Sequence, residues 1–119
     1  MNKTQEHELI RELYAEQNYQ CHVCKKSVNQ RAHIIGNTKL NRSLYGDDVI
    51  DSKENWRGVC SLECNKKCDV GRGLLTEMVY QHIVSDIDYA DKKLLIDDLI
   101  IEHREKGEAK IENRKTIQQ

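Results

Sequence analysis

Apolar residues recur at helical spacing in three stretches of the chain and crowd into two short runs between them. Leu9, Ile10, Leu13 and Tyr14 fall on one side of a stretch whose glutamates mostly lie elsewhere, which predicts an amphipathic helix over 4–18 with Thr4 as its N-cap. Residues 18–26 break that period and read as a turn. The run RAHII at 31–35 and the run from Trp56 to Cys60 predict two strands. Between them, GNTKLNRSLYGDDVIDSKEN at 36–55 is rich in turn-forming residues and reads as a surface loop. A helix is expected from a Ser61 cap, with Glu63 in its first turn, to a stop near Gly71. Leu74, Leu75, Met78, Val79, His82 and Ile83 fit the next helix. Ser85 with Asp88 resembles a capping box opening a last one, whose apolar side comprises Leu94, Leu95, Leu99 and the run from Ile100. Past Gly107 no sustained apolar face remains, so 107–119 is expected to be disordered. The expected fold is a single α+β, mostly helical domain over 1–119. It has a strand, strand, helix core at 20–73, an N-terminal helix and C-terminal helices at 74–106.

Composition sharpens this picture at one point. With 119 residues, 38% of them hydrophobic, and neither Phe nor Pro, the core is modest and calls for support beyond apolar burial. The five cysteines are an odd number in a chain whose first residues, MNKTQEHEL, are too polar for a signal peptide. No apolar run approaches the roughly 20 residues that cross a bilayer. The expectation is a soluble cytoplasmic protein with no membrane partner, in which thiols ligate metal rather than form disulfides. Charge is uneven along the chain. Residues 20–73 carry ten Lys/Arg against six Asp/Glu, a net +4, while 1–19 and 74–119 are acidic at −2 and −3. A central basic stretch between acidic flanks is a weak footprint of a polyanionic partner.

The chemistry-bearing residues occur in the order Cys21, Cys24, His33, Asn55, Cys60, Cys64, Asn65. Two cysteine pairs from distant points of a chain supply the four soft thiolates that tetrahedral zinc prefers. The first pair has the usual two-residue spacing, and Cys60-Ser-Leu-Glu-Cys64 is one residue longer than the usual half-site. Cys68, one helical turn past Cys64, is a rival ligand or a small buried hydrophobe. His22, His7, His82 and His103 have no partner motif.

Taken together, CHVC at 21–24, RAHII at 31–35, ENW at 54–56, VC at 59–60 and CNKK at 64–67 resemble the HNH family of ββα-metal endonucleases. The subset in question carries a four-cysteine structural zinc, as in HNH-type phage junction resolvases and restriction nucleases. The resemblance covers residues 20–73 and leaves the flanking helices unexplained. It implies a metal-dependent DNA endonuclease with a ββα-metal core. In that reading His33 is the general base on the attacking water, Asn55 ties the loop to the backbone near the histidine, and Asn65 is an oxygen ligand to Mg²⁺ or Mn²⁺. The family departs from this chain at Ala32, where many members place Asp, Glu or His as a second metal ligand. Asp69, one turn beyond Asn65, is the best replacement, ahead of Asn37 and Asp47. Lys25, Lys26, Arg31, Arg57, Lys66, Lys67 and Arg72 are candidates for phosphate contacts. Tyr45 and Trp56 are candidates for base stacking, with core packing the stronger role for Trp56. If Ala32 marks lost catalysis, the alternative is an inactive zinc module that binds nucleic acid or protein. A third reading makes the acidic helical tail a dimerisation or subunit interface, and the resemblance implies a homodimer as one possible state, since small HNH nucleases often act as dimers.

Overall fold

The computed structural model describes residues 2–85 and 88–118, and the chain divides into two compact units, Met1–Gly71 and Arg72–Gln119. It is a small, mostly helical α+β protein with a two-stranded antiparallel sheet.

The first unit opens with α1, Lys3–Glu16. Its cap is Asn2 rather than Thr4. The Asn2 Oδ1 accepts from the Gln5 backbone N–H at 2.9 Å and the Gln5 Oε1 accepts from the Asn2 N–H at 3.2 Å, a reciprocal box that satisfies two orphan donors. Beyond the helix, Asn18 and Tyr19 both take left-handed φ, at 54° and 59°, which turns the chain sharply into the cysteine turn. A Gln20–Ser27 bridge closes that turn, with the Cys21 N–H donating to the Lys26 carbonyl.

Strands β1, Gln30–His33, and β2, Trp56–Val59, pair antiparallel with His33 opposite Trp56 and Ala32 opposite Arg57. All four residues of β2 are buried. Gln17 brackets it, accepting from the Gly58 N–H at 2.7 Å and donating to the Gly58 carbonyl at 3.0 Å. A Cβ at position 58 would lie 3.0 Å from the Tyr14 ring, so any larger residue would have to push that ring back by a few tenths of an ångström.

The connection between the strands is not the surface loop its composition suggests. It holds α2, Lys39–Tyr45, α3, Asp47–Ile50, and a 3₁₀ turn, Lys53–Asn55, with Val49 and Ile50 buried. Its small polar residues act as caps: Thr38 accepts from the Asn41 N–H, Ser52 from the Glu54 N–H, and Gly46 takes φ 90° between the two helices. Arg42 fastens the segment by pairing with Asp47 at 2.9 Å and Asp51 at 2.8 Å. After β2, Ser61 caps α4, Leu62–Cys68, accepting from the Cys64 N–H. α4 ends three residues short of Gly71 because Asp69 leaves the helix at ψ 121°, where the Val70 N–H donates to the Ile34 carbonyl.

In the second unit α5, Leu74–Val84, packs against α6, Tyr89–Gln118, burying Leu75, Val79 and Ile83 from one helix and Ile96 and Ile100 from the other. The buried side of α6 thus runs through 92, 96 and 100, while Leu94 is exposed. Lys92 is buried there because its Nζ donates to the Ile83 carbonyl at 2.9 Å, completing the end of α5. Ser85 closes α5, its Oγ donating to His82, and Asp88 rather than Ser85 caps α6 by accepting from the Ala90 N–H. The helix continues over 107–118, where disorder was expected, since Glu, Lys, Arg and Ala keep high helix propensity without an apolar face. Among the described residues no helix is long and apolar enough to cross a membrane.

Candidate functional site

Two features of the first unit carry chemistry, and they lie on opposite faces of the hairpin. On one face the Sγ atoms of Cys21, Cys24, Cys60 and Cys64 all lie within 4.8 Å of one another. Measured edges are 3.2 Å for Cys24–Cys60 and 3.8 Å for Cys60–Cys64. A tetrahedron of Zn–S bonds of about 2.3 Å has edges of about 3.8 Å, and the sulfur separations scatter around that value. The turn after α1 supplies the first pair, and the end of β2 with the first turn of α4 supplies the second.

Ionising all four thiols together calls for a cation. Burial pushes the Cys21 thiol up, but backbone N–H groups of Cys24, Val23 and Cys60 outweigh it and bring Cys21 down to about 6. Its neighbours respond in the opposite sense: Cys60 rises to about 11, chiefly through its contact with Cys24, and Cys64 is raised as well. Clustered thiols cannot all ionise without a positive charge between them, and a dication supplies it. Cys68 does not join the four. It is buried with Cys21, Ala32, Val59 and Cys64 as part of their apolar packing. The five cysteines form no disulfide. The four clustered thiols can therefore hold a metal ion such as zinc.

Ala32 belongs to this same packing and is fully buried. Side chains alternate across a strand, so Ala32 faces the sulfurs while Arg31 and His33 face the other way. A carboxylate at position 32 would be buried against thiolates, which accounts for the alanine.

On the opposite face, the His33 ring stands edge-on to Trp56 at 6.2 Å, and the Arg31 guanidinium lies 4.5 Å from the Trp56 ring centroid. Here a cleft of about 300 Å³ is lined by Glu6, Arg31, Asn37, Arg42, Asp51 and Trp56. Burial, helped by the charges of Arg31 and Arg42 and partly offset by Asp51 and Glu6, lowers the His33 pKa to about 4. The imidazole is therefore neutral, and able to accept a proton, across the whole neutral range.

Asn55 is fully buried and clamps the chain two residues past His33. Its Oδ1 accepts from the Ile35 N–H at 2.8 Å, while its Nδ2 donates to the carbonyls of Ile35 and Ile50 at 3.1 and 3.2 Å. The Asn55 carbonyl also accepts from Ile34 at 2.8 Å, so the amide side chain continues the ladder where β1 ends. Asn55→Ala would orphan several buried backbone groups, and the expected cost is about 2 to 4 kcal/mol in urea denaturation. Asn55→Asp should recover little of it, because a carboxylate cannot donate to the two carbonyls.

The Asn65 Nδ2 donates to the Arg31 carbonyl at 3.4 Å, and the Asp69 Oδ1 accepts from the Gly71 N–H at 2.8 Å. Both side chains lie along β1 and its continuation, with Asp69 beside Gly36. Among the described residues the four thiols are the only cluster of three or more His, Cys, Asp or Glu groups able to hold an ion.

The basic residues divide. Lys25, Lys26, Lys66, Lys67 and Arg72 are exposed. Arg57, expected among the phosphate contacts, is instead only 1% exposed and donates to the carbonyls of Glu54 at 3.1 Å and Trp56 at 2.7 Å. Trp56 is likewise fully buried, its Nε1 donating to Ile50 at 3.0 Å, so it packs the core and stacks on no base. Glu6, Arg42 and Asp51, which line the cleft beside Trp56, carried no sequence signal beyond polar spacing in segments read as a helix surface and a loop. Comparison with protein-family models, with curated proteins and with solved structures finds no match to this chain.

Proposed function

We propose that this protein is a metal-dependent DNA endonuclease of the HNH type, hydrolysing phosphodiester bonds beside His33. The observation that carries the proposal is the clamp of Asn55 on Ile35, which holds the end of β1 and so fixes where the His33 imidazole is presented. The order of two antiparallel strands and a helix, with thiols gathering the turn, β2 and α4, supports the same reading. In it His33, kept neutral by burial, takes the proton from the attacking water. Asn65 and Asp69 would hold Mg²⁺ or Mn²⁺, which when bound stabilises charge on the phosphoryl oxygens. The exposed Lys25, Lys26, Lys66 and Lys67 of the first unit would position the nucleic-acid backbone without reading its sequence.

The test is plasmid nicking by the zinc-loaded chain with Mg²⁺, Mn²⁺ or no added divalent ion, alongside Asn65→Ala. Cleavage that requires the added ion, and that falls at least about 100-fold without the Asn65 amide, is the expected outcome. One observation favours a second reading: no acidic or histidine cluster accompanies Asn65 among the described residues. Zinc and DNA binding without cleavage under any ion would identify an inactive zinc-dependent binding module instead.

A further inference from the structure

The cleft beside His33 contains two guanidiniums, and each is already paired. Glu6 meets Arg31 at 2.8 Å, and Asp47 and Asp51 meet Arg42 at 2.9 and 2.8 Å, so these five side chains sum to −1. A polyanion approaching His33 therefore meets, among the described residues of this cleft, cations that are already paired, and one pair must open before a phosphate can settle.

The two arginines differ in how firmly they are held. Arg42 donates to Asn37 at 2.7 Å, to Asp47, and in a two-pronged fork to both oxygens of Asp51 at 3.2 and 2.8 Å. Such a fork is the strongest geometry an arginine makes, and three partners lock it. Arg31 has a single carboxylate, from Glu6 in the first turn of α1, whose side chain is 36% exposed. The Trp56 ring, 4.5 Å away, supports the Arg31 guanidinium independently of that carboxylate. Glu6 can swing into solvent and leave Arg31 in place.

We propose that Glu6 occupies the position of a substrate phosphate on Arg31. Arg31 is the cation that binds a backbone phosphodiester beside His33, and Glu6 is its internal competitor, displaced when nucleic acid binds. This inference rests on the nuclease reading and adds a restraint to it.

The test is the affinity of the zinc-loaded chain for a short fluorescent DNA duplex, followed by anisotropy over a range of KCl concentrations without Mg²⁺ or Mn²⁺. Glu6→Gln and Glu6→Ala should each bind about three- to tenfold tighter, the scale of one partly exposed ion pair. Glu8→Gln, the same charge change at an exposed site of α1, should alter affinity less than about twofold. The gain should vanish when Glu6→Gln is combined with Arg31→Gln. Salt weakens the Arg31–Glu6 pair that the wild type must break, so the slope of log K against log[KCl] should be steeper in Glu6→Gln, by less than the about 0.9 of a whole phosphate contact. Emission from Trp56, the single tryptophan, checks that each variant is folded. Equal effects of Glu6→Gln and Glu8→Gln, or a gain that persists without Arg31, overturn the proposal. If the wild type still nicks DNA in that case, the nuclease reading stands and only the competitor role falls. If neither wild type nor variants bind DNA, both fall.

Discussion

Chelating the metal that Cys21, Cys24, Cys60 and Cys64 can hold is expected to unfold the first unit. Four thiolates bring the turn after α1, the end of β2 and the start of α4 to one point, and few apolar contacts would otherwise join them. A structural zinc contributes on the order of 10 to 16 kcal/mol of apparent binding free energy at pH 7, against roughly 5 to 15 kcal/mol for the stability of a whole domain. The cluster around the sulfurs is Ala32, Val59 and the cysteines themselves, too small to offset such a loss. Trp56 is fully buried in this unit, so its emission should shift to the red as a chelator removes zinc and return when zinc is restored. Cys21→Ser and Cys64→Ser should do the same without a chelator. Cys68→Ala should retain zinc and lose only the packing of a small buried side chain, about 1 kcal/mol. An unshifted Trp56 spectrum in metal-free protein would show that apolar packing alone holds the hairpin.

If the proposed nuclease reading holds, replacing His33 by alanine is expected to lower cleavage by about 10²- to 10⁴-fold while zinc content and fold persist, the usual contribution of a positioned general base. Its pH dependence separates this role from a structural one. The folded pKa of about 4 lies below the ordinary 6.5, so burial favours the neutral ring. Cleavage limited by this base should stay level through the neutral range and fall only as pH approaches 4. Stability follows the same group. Between 6.5 and 4 the unfolded chain binds the proton and the folded chain resists it, so stability is full above that window and declines as pH falls through it. Urea midpoints taken across the window should decline less steeply in His33→Gln than in wild type. Full nicking activity in His33→Ala would remove the histidine from the reaction.

Local pattern alone located most of the elements. The helices over 3–16, 62–68 and 74–84 and both strands follow from the spacing of apolar residues and from Ser61 as a cap. The connection between the strands was misread because the residues that cap short helices also make loops, and only the burial of Val49 and Ile50 separates the two outcomes. Ser85 and Asp88 traded roles for a similar reason: either can cap, and the hydrogen bond of Ser85 to His82 assigns it to the helix before.

Residue type and spacing in the sequence point to a thiol metal site, with Cys68 left as a rival ligand, and to His33 as the candidate base. Thiol chemistry and spacing are properties of residue type, and they survive without knowledge of the fold. Tertiary structure decided which cysteine stays out of the cluster, since Cys64 and Cys68 differ by one helical turn and only the fourfold convergence of sulfurs tells them apart. It also decided that Arg57 is buried and that Ala32 faces sulfur. Above all it brought Glu6 onto Arg31, two residues far apart in the chain that meet because α1 lies against the sheet. Charge pairing across such distances depends on packing in three dimensions, and no local pattern of residues encodes it.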